Sequence, residues 1–312
     1  MNGGSHLYDC GGARVLDARA MSWDEHPGVP GGRIKVLSQD TSGHATVMLN
    51  WLPPVLAPHA PERHYHRAVV EHGYVLDGEL SIREYDDAED ESGALVPFRA
   101  GYFYRRLPGS VHGVDPARTV GETGFEILEW RSGPGTYLWE EGAERETVSM
   151  PLPDGAAQSA AEAVCGEDGV VRDRGRVTIL DTRQVRWGPH PGIAGARAQV
   201  LAADAGGSPL ALLAWIPPAV AGGGEPHRHR TVTEFGYVLA GRLALREHAG
   251  GGDDRASTVL LHAQCLYEHR PGAVHALEAV GDAEDPGCLV LEWRTGPGTY
   301  AGEAGEETER LG

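Results

Sequence analysis

The chain has 312 residues and a formal net charge of −18 at pH 7. Nucleic acids and anionic membranes bind basic patches, so neither is expected as a partner of so acidic a protein. The 44 glycines and 21 prolines favour many short strands joined by turns over long helices. No apolar stretch approaches the roughly 18 residues that span a bilayer, and the N-terminus shows no secretion signal. The four cysteines lack CxxC spacing, so we expect a cytoplasmic protein with reduced thiols.

Two copies of one sequence pattern divide the chain. A length of 312 residues favours two domains at about 150 residues each. A Glu-Trp-Arg sequence at 129–131 returns at 292–294, and residues 151–175 between the copies are rich in Ala, Gly and acidic residues. Such a composition is typical of a connector. We therefore expect an N-terminal domain at 1–150, a linker at 151–175 and a C-terminal domain at 176–312.

Signals for β-strands follow the same order in both copies. Residues 69–76 are apolar or β-branched and stop near a turn glycine, as do residues 232–239. Further on, Leu80 and Ile82 alternate with polar residues, and the FEILEW run at 125–130 is typical of a buried strand. Many short antiparallel strands in about 130 residues predict a sandwich or jelly-roll barrel for each copy. The expected fold class is all-β, with two tandem barrels that arose by internal duplication.

Three histidines and one glutamate recur with constant spacing and are candidate metal ligands. Residues i and i+2 of a strand face the same side, so both histidines of a His-x-His sequence can point into a barrel. A glutamate follows them, and a histidine after a Pro-Gly turn completes the set. Imidazole with carboxylate suits a divalent metal and leaves about two positions of an octahedral ion open, as a working centre needs. The candidate ligands are His64, His66, Glu71 and His112, and, each 163 positions later, His227, His229, Glu234 and His275.

The spacing His-x-His-x4-Glu-x6-Gly, followed by Pro-Gly-x-x-His, resembles the double signature of the cupin superfamily and occurs in both copies. The surrounding Trp-x-Pro-Pro, Gly-Tyr-Val-Leu and Pro-Gly-Ser-x-His-Gly sequences are similar to ChrR-type cupins, a branch with metal-binding sensors and aromatic ring- or side-chain-cleaving dioxygenases. The resemblance implies a bicupin: two cupin (jelly-roll) β-barrels with one metal site in each. The second motif of the signature usually opens with glycine, which Gly101 provides. Gln264 replaces it in the second copy, a change that can alter the path of the strand.

Polar residues near the last ligand of each copy have two interpretations. Tyr104 and Tyr267 hold equivalent positions before the Pro-Gly turn and are candidate hydrogen-bond donors in the pocket, although a structural role in the barrel wall fits as well. Beyond the metal centres and these tyrosines, the sequence assigns no catalytic residue. Four basic residues either steer an anionic substrate or form surface ion pairs: Arg105, Arg106, His269 and Arg270.

The ligand pattern and the resemblance together favour a metal-dependent enzyme. The main prediction is an oxidoreductase, a non-haem Fe(II) dioxygenase that acts on a small aromatic or anionic metabolite with dioxygen as second substrate. The alternatives are a non-redox isomerase, decarboxylase or lyase, in which the ion acts as a Lewis acid, and a metal- or ligand-binding sensor without catalysis. Fe(II) is the preferred cofactor, with up to two ions per chain, but Mn, Ni, Cu and Zn accept the same ligands. The expected partner is a small-molecule substrate, and the chain is either a monomer or a homo-oligomer.

Overall fold

The structure, a computed structural model, describes residues 6–10, 12–56, 63–66, 69–86, 90, 92–114, 120–132, 145–147, 167–174, 176–218, 227–248, 256–278, 287–295 and 308–310. These residues form 25 β-strands and two single-turn 3-10 helices, at Ala18–Ala20 and Glu167–Gly169. The predicted all-β class is therefore confirmed. Among the helices of the described residues, none is long and apolar enough to cross a membrane.

The strands, numbered in chain order, fall into two units. They are β1 (His6–Cys10), β2 (Ala13–Asp17), β3 (Asp24–Glu25), β4 (Arg33–Gln39), β5 (Ala45–Leu52), β6 (His64–His66), β7 (Glu71–Glu84), β8 (Ala94–Arg99), β9 (Tyr102–Arg106), β10 (His112–Val114), β11 (Phe125–Arg131), β12 (Arg145–Thr147), β13 (Val170–Arg174), β14 (Val177–Asp181), β15 (Gly188–Pro189), β16 (Arg197–Ala203), β17 (Pro209–Ile216), β18 (His227–His229), β19 (Glu234–Ala240), β20 (Arg242–His248), β21 (Ala256–His262), β22 (Cys265–His269), β23 (Val274–Glu278), β24 (Cys288–Arg294) and β25 (Thr308–Arg310). We call the unit Trp23–Val185 the first barrel, and the unit made of Met1–Ser22 and Arg186–Gly312 the second barrel.

One strand of each barrel comes from an unexpected part of the sequence. Strand β2 precedes the first barrel in the chain but belongs to the second, and β14 immediately precedes the main segment of the second barrel but belongs to the first. Strand β2 pairs with β22 of the second barrel, and β14 pairs with β9 of the first. The units therefore differ from the expected domains at 1–150 and 176–312, and part of the expected linker forms β13, which pairs with β14. Residues 151–166 of that linker lie outside the described residues. Linear order did not reveal this exchange because antiparallel pairing joins segments that are remote in the chain.

Corresponding strands build the two barrels, with one difference in continuity. The second barrel has an eight-stranded sheet, β1-β2-β22-β19-β24-β17-β16-β15, and a five-stranded sheet, β21-β20-β23-β18-β25. In the first barrel the unbroken β7 joins the strands into one 12-stranded sheet. The bend lies at Gly78 and Gly241, whose φ angles are +80° and +79°. A Cβ at Gly78 would lie 2.0 Å from the carbonyl oxygen of Gly124, so the bend requires glycine.

The two exchanged strands, β2 and β14, pack into the barrel cores. Ile179 of β14 is fully buried in the cluster that contains Val75 and Phe98. Val15 of β2 is equally buried in the cluster that contains Val238. Burying an aliphatic side chain of this kind contributes about 1.5–3 kcal/mol. Each exchanged strand is thus an integral part of the core that it joins.

Gln264 keeps the backbone conformation of the glycine that it replaces. Its φ is +68°, against +85° at Gly101. Its amide donates to the Val238 carbonyl at 2.7 Å, as the Gly101 amide donates to Val75 at 2.9 Å. The path of the strand is therefore retained, and Gln264 carries the strain of a left-handed conformation instead.

Candidate metal centres

Three histidines of the first barrel meet where β6 and β10 pair. His64 lies opposite His112 in antiparallel register, and His66 follows on the same side of β6. The ring centroids of His64 and His112 are 4.3 Å apart, and that of His66 lies 5.5 Å from the first and 6.0 Å from the second. His66 and His112 are buried, and His64 is half-buried. One potential ligand atom from each of the three lies within 4.8 Å of the others.

Glu71 begins strand β7 beside these histidines, with Oε2 3.6 Å from His112 Nε2. The register of β7 places Glu71 opposite Arg106 on one side and Arg131 on the other. Arg106 Nη1 donates to Glu71 Oε2 at 3.2 Å, and Arg131 Nη2 is 3.5 Å from Oε1. Arg106 also donates to the fully buried carboxylate of Glu84. Guanidinium groups from both neighbouring strands therefore hold the candidate carboxylate ligand in place.

Burial and nearby charge set the protonation of this centre. Burial by itself raises the pKa of Glu71, but the charges of Arg106, then of the neighbouring histidines and Arg131, hold that pKa well below its ordinary range. Burial, followed by the charges of Arg106 and His64, holds the pKa of His112 well below its ordinary value. A neutral imidazole and an ionised carboxylate are the forms that coordinate a metal. The first barrel presents both at neutral pH.

The second barrel repeats the arrangement. His227 lies opposite His275, their ring centroids are 4.3 Å apart, and His229 lies 5.4 and 5.5 Å from them. Potential ligand atoms of the three again lie within 4.8 Å of one another. Glu234 Oε2 is 2.9 Å from His229 Nε2, and Oε1 is 3.4 Å from His275 Nε2. Arg294 donates to Glu234 Oε2 from Nη2 at 2.8 Å and from Nε at 3.1 Å.

One charged position differs between the two centres. Where the first barrel has Arg106, the second has His269, opposite Glu234 in the register of β19 and β22. His269 Nε2 is 2.7 Å from Glu247 Oε1, and its ring stacks on His275 with centroids 3.7 Å apart. Burial lowers the pKa of His269, but the neighbouring carboxylates of Glu234 and Glu247 outweigh it and raise the pKa to about 9. This imidazole is therefore charged at neutral pH, as the guanidinium of Arg106 is.

The donor atoms of both centres fit a divalent metal ion. Ligand atoms that share an ion through bonds of about 2.1 Å lie roughly 3.0–4.2 Å apart. The nitrogen atoms, at most 4.8 Å apart, need only a small inward movement to reach that spacing. The glutamate beside them adds the oxygen donor that a hard or borderline ion accepts. The structure thus clusters the three predicted histidines of each set and places the predicted glutamate beside them. The sets are His64, His66 and His112 with Glu71, and His227, His229 and His275 with Glu234.

A cavity of about 110 Å³ lies in the first barrel. The four candidate ligands of that barrel line it together with Arg106 and Arg131. Most of its remaining wall is apolar, formed by Val29, Leu52, Leu80, Ile82, Val114, Phe125 and Ile127. Such a space accommodates a small molecule with a polar group at the ligands and an apolar body.

Tyr104, one of the two predicted pocket residues, lines this cavity. Its hydroxyl donates to Glu129 Oε1 at 2.6 Å, and Asn50 donates to the other oxygen of that carboxylate. The Tyr104 ring lies against Gly73, where a Cβ would come within 2.3 Å of Cε1. Burial, then the charges of Glu129 and Glu71, raise the pKa of Tyr104 well above its ordinary value. The hydroxyl therefore keeps its proton at neutral pH.

Tyr267, the second predicted pocket residue, is buried in the second barrel. Its ring centroid is 5.2 Å from that of His269. A Cβ at Gly236 would lie 2.1 Å from Tyr267 Cζ. The pairing of a tyrosine ring with a strand glycine is thus a shared packing feature of both copies.

The buried charges beside the two candidate glutamate ligands were not predicted from the sequence. Arg106 and His269, assigned there to substrate steering or to the surface, are buried and adjoin the glutamate of their own barrel. Glu84 and Glu247, the partners of these two residues, were assigned no role. The constant offset of 163 also relates these two pairs. Charged residues that recur at equivalent places on strands beside the ligands were the signal that could have found them.

Comparisons with known proteins found likeness in three-dimensional structure. No protein-family model and no curated protein matches the chain. Among solved structures, the E. coli protein Ylba has a TM-score of 0.56 at 10% identity, with 94% of each chain covered. A variant of Bacillus subtilis oxalate decarboxylase has a TM-score of 0.56 at 13% identity, over 98% of this chain and 81% of that one. The formate complex of Lactobacillus farciminis oxalate decarboxylase has a TM-score of 0.54 at 12% identity, over 98% and 89%.

At such low identities the likeness concerns the fold, and the resemblance to ChrR-type cupins stays a prediction. The similar structures match nearly the whole length of the chain, so the likeness extends over the residues of both barrels. This chain therefore has the cupin fold in duplicate, with one barrel in each unit.

Proposed function

We propose that this protein is a metal-dependent enzyme of the non-redox kind, a decarboxylase or lyase that acts on a small carboxylate in the first barrel. The observation that carries the proposal is the cluster of His64, His66 and His112 in the wall of a cavity. Two of the similar structures are oxalate decarboxylases, which supports this alternative over the dioxygenase that the sequence led us to expect.

The charge around the cavity favours an anionic substrate. Two guanidinium groups, Arg106 and Arg131, pair with the carboxylates of Glu71 and Glu84. A third carboxylate, Glu129, also lines the cavity. With a divalent ion bound, the formal charges of these groups sum to a net positive value even when all three carboxylates are ionised. A buried positive charge needs a partner, and the carboxylate of a substrate supplies one.

The metal ligands and their supports have separate tasks. His64, His66, His112 and Glu71 would hold the ion, which supplies Lewis-acid stabilisation of negative charge on a substrate oxygen. The guanidinium of Arg106 keeps Glu71 ionised and oriented. This preorganisation leaves little to rearrange when substrate enters.

Tyr104 and Glu129 hold a proton at the cavity wall. When a carboxylate leaves as carbon dioxide, the electron pair of the broken C–C bond stays on the remaining carbon, which must then take up a proton. The Tyr104 hydroxyl, bonded to Glu129 at 2.6 Å, is positioned to supply it, and Glu129 then favours recovery of a proton from solvent. The apolar wall formed by Leu80, Ile82 and Phe125 suits a substrate whose carboxylate extends from a hydrocarbon body.

The test separates decarboxylation from oxygenation. Protein stripped with a chelator is reloaded with Mn(II), Fe(II) or Zn(II) and given aliphatic and aromatic mono- and dicarboxylates. Carbon dioxide release and dioxygen uptake are then measured together. We expect carbon dioxide without matching dioxygen uptake. One dioxygen consumed per product would establish the Fe(II) dioxygenase instead, and no turnover by any loaded form would leave the non-catalytic sensor.

Two variants assign the activity to a barrel. Glu71→Ala and Glu234→Ala are expected each to lose about one metal equivalent by inductively coupled plasma mass spectrometry. Turnover should disappear in Glu71→Ala and persist in Glu234→Ala if the substrate binds in the cavity of the first barrel.

A third variant tests the proton donor. Tyr104→Phe should keep its metal but lower kcat by about 10²–10⁴-fold, the usual contribution of general acid–base catalysis.

A further inference from the structure

A second kind of metal-ligating cluster lies in the second barrel, outside both histidine-rich centres. Asp17 ends strand β2, His262 ends β21 and Cys265 begins β22. Asp17 is paired with Cys265 in the register of β2 and β22, and the short turn after His262 brings its ring beside Cys265. One potential ligand atom from each residue lies within 4.8 Å of the others.

The spacing of these atoms matches a tetrahedral ion. His262 Nε2 is 3.7 Å from Cys265 Sγ and 3.5 Å from Asp17 Oδ2. Zinc bonds of about 2.3 Å to sulfur and about 2.1 Å to nitrogen and oxygen, at tetrahedral angles, separate sulfur from nitrogen by about 3.6 Å and nitrogen from oxygen by about 3.4 Å. His262 Nε2 therefore already stands at ligand distance from both neighbours, although Sγ lies closer to Nδ1, at 3.2 Å, so the ring must turn slightly to bind an ion through Nε2. Thiolate, imidazole and carboxylate together suit Zn²⁺ and ions of similar softness.

The imidazole has the surroundings of a metal-ligating histidine. His262 Nδ1 is 3.1 Å from the carbonyl oxygen of Ala263, and such a bond from one ring nitrogen commonly orients the other toward a metal. Nε2 faces Arg19, whose Nη2 contacts it and also donates to Asp17 Oδ2 at 3.3 Å. A cationic group thus already occupies the space between imidazole and carboxylate. The Arg19 side chain is 50% exposed, so it can turn to solvent when an ion takes its place.

The first barrel contains the same turn without the ligands. Asp181 is paired with Tyr102 as Asp17 is with Cys265, and Arg99 stands at the position of His262. The left-handed turn residue is Gly101 there and Gln264 here. A neutral phenol and a charged guanidinium are poor ligands for a divalent ion, so of these two turns the one in the second barrel has the better donor set.

The burial of the cluster admits an ion but not a larger molecule. Cys265 is fully buried, whereas the side chains of Asp17 and His262 are 15% and 31% exposed. A small ion can enter from the carboxylate and imidazole edge, while a substrate carbon cannot reach the sulfur. This difference favours a metal site over a nucleophilic cysteine.

We propose that Asp17, His262 and Cys265 form a third metal site, which takes Zn²⁺ or an ion of similar softness and leaves one coordination position to water. Asp17 belongs to the exchanged strand β2, and the two other ligands flank the turn between β21 and β22. A bound ion therefore fastens the exchanged strand to the second barrel.

Cobalt(II) tests this site apart from the other two, because only this one contains sulfur. Chelator-treated protein is titrated with Co²⁺, and the near-ultraviolet sulfur-to-cobalt charge-transfer absorption is followed. We expect about one equivalent of cobalt to produce this absorption in the wild type, and excess Zn²⁺ to abolish it. Absence of the absorption at saturating cobalt would overturn the proposal, whatever metal the histidine-rich centres bind.

The variants assign the absorption to residues. Cys265→Ser and His262→Ala should each abolish it, and His262→Ala, at a partly exposed position, serves if the buried cysteine cannot be replaced without unfolding. A variant with the other three cysteines replaced by serine, at Cys10, Cys165 and Cys288, should retain it. Absorption that survives His262→Ala, or that disappears with the other cysteines, would refute the assignment.

Discussion

Replacing Arg106 by methionine tests whether buried charge holds the first centre together. The Arg106 guanidinium is almost wholly buried and bonds both Glu71 and Glu84, themselves 3% and 0% exposed. Its removal leaves two buried carboxylates without that partner, and breaking such a pair typically costs about 3–5 kcal/mol. We expect the free energy of unfolding of chelator-treated protein at pH 7 to fall by about this amount, measured by urea denaturation with tryptophan fluorescence.

The pH dependence of this loss has a definite sign. Burial raises the pKa of Glu84 even beside Arg106, and without the guanidinium that pKa rises further. A carboxyl with a raised folded pKa favours the folded state at low pH and loses that contribution as the pH rises through the folded pKa. The deficit of Arg106→Met should therefore shrink as the pH falls toward the ordinary range of glutamate.

A matched control uses an exposed ion pair. Arg99→Met breaks the pair with Glu79, whose atoms are 2.8 Å apart on side chains 51% and 45% exposed, and should cost no more than about 1 kcal/mol. The double variant Arg106→Met/Glu84→Leu removes one stranded carboxylate and should recover part of the loss. Equal costs for Arg106→Met and Arg99→Met, or a deficit independent of pH, would refute the reasoning.

Three further predictions concern the turn, the tyrosine packing and the second centre. Gln264→Gly removes left-handed strain of about 1–2 kcal/mol against a glycine entropy cost of about 0.5–1 kcal/mol. The central net gain of about 0.75 kcal/mol should raise the unfolding midpoint by about 2 °C, whereas Gln264→Ala, which keeps a Cβ, should not raise it. Gly73→Ala places a Cβ 2.3 Å from Tyr104 and should destabilise by about 1–3 kcal/mol, seen in the same denaturation assay. With chelator present, stability that depends on the raised pKa of His269 is complete below about pH 6.5 and lost toward pH 9; His269→Gln should flatten that part of the profile.

The fold class and the two ligand sets were accessible from the sequence. Strand alternation has a period of two, so His64 and His66 had to share a face. The repeat showed that a histidine 41 residues after Glu71, His112, belongs to the same unit as its counterpart does in the second copy. Each of these inferences needs only local geometry and an internal comparison.

The boundaries of the barrels and the surroundings of the ligands were not accessible in this way. Residues 13–17 were expected in the N-terminal domain at 1–150, yet they pair with β22 in the second barrel. From the sequence, Arg106 was expected either to steer an anionic substrate or to form a surface ion pair, because strand periodicity does not say which neighbouring strand will cover a face. Its place behind Glu71 became visible only in the register of β7 and β9.

The sequence by itself determined that the chain forms two β-barrels and which eight side chains are the candidate metal ligands, because residue spacing on strands and a repeated pattern are properties of the chain alone. Tertiary structure decided which distant strand completes each barrel, that Arg106 and His269 stand behind the glutamates, and that Asp17 meets His262 and Cys265. The physical reason is that sheet pairing joins residues by hydrogen bonds between strands, and the choice among distant partner strands rests on the packing of the whole core rather than on any local periodicity.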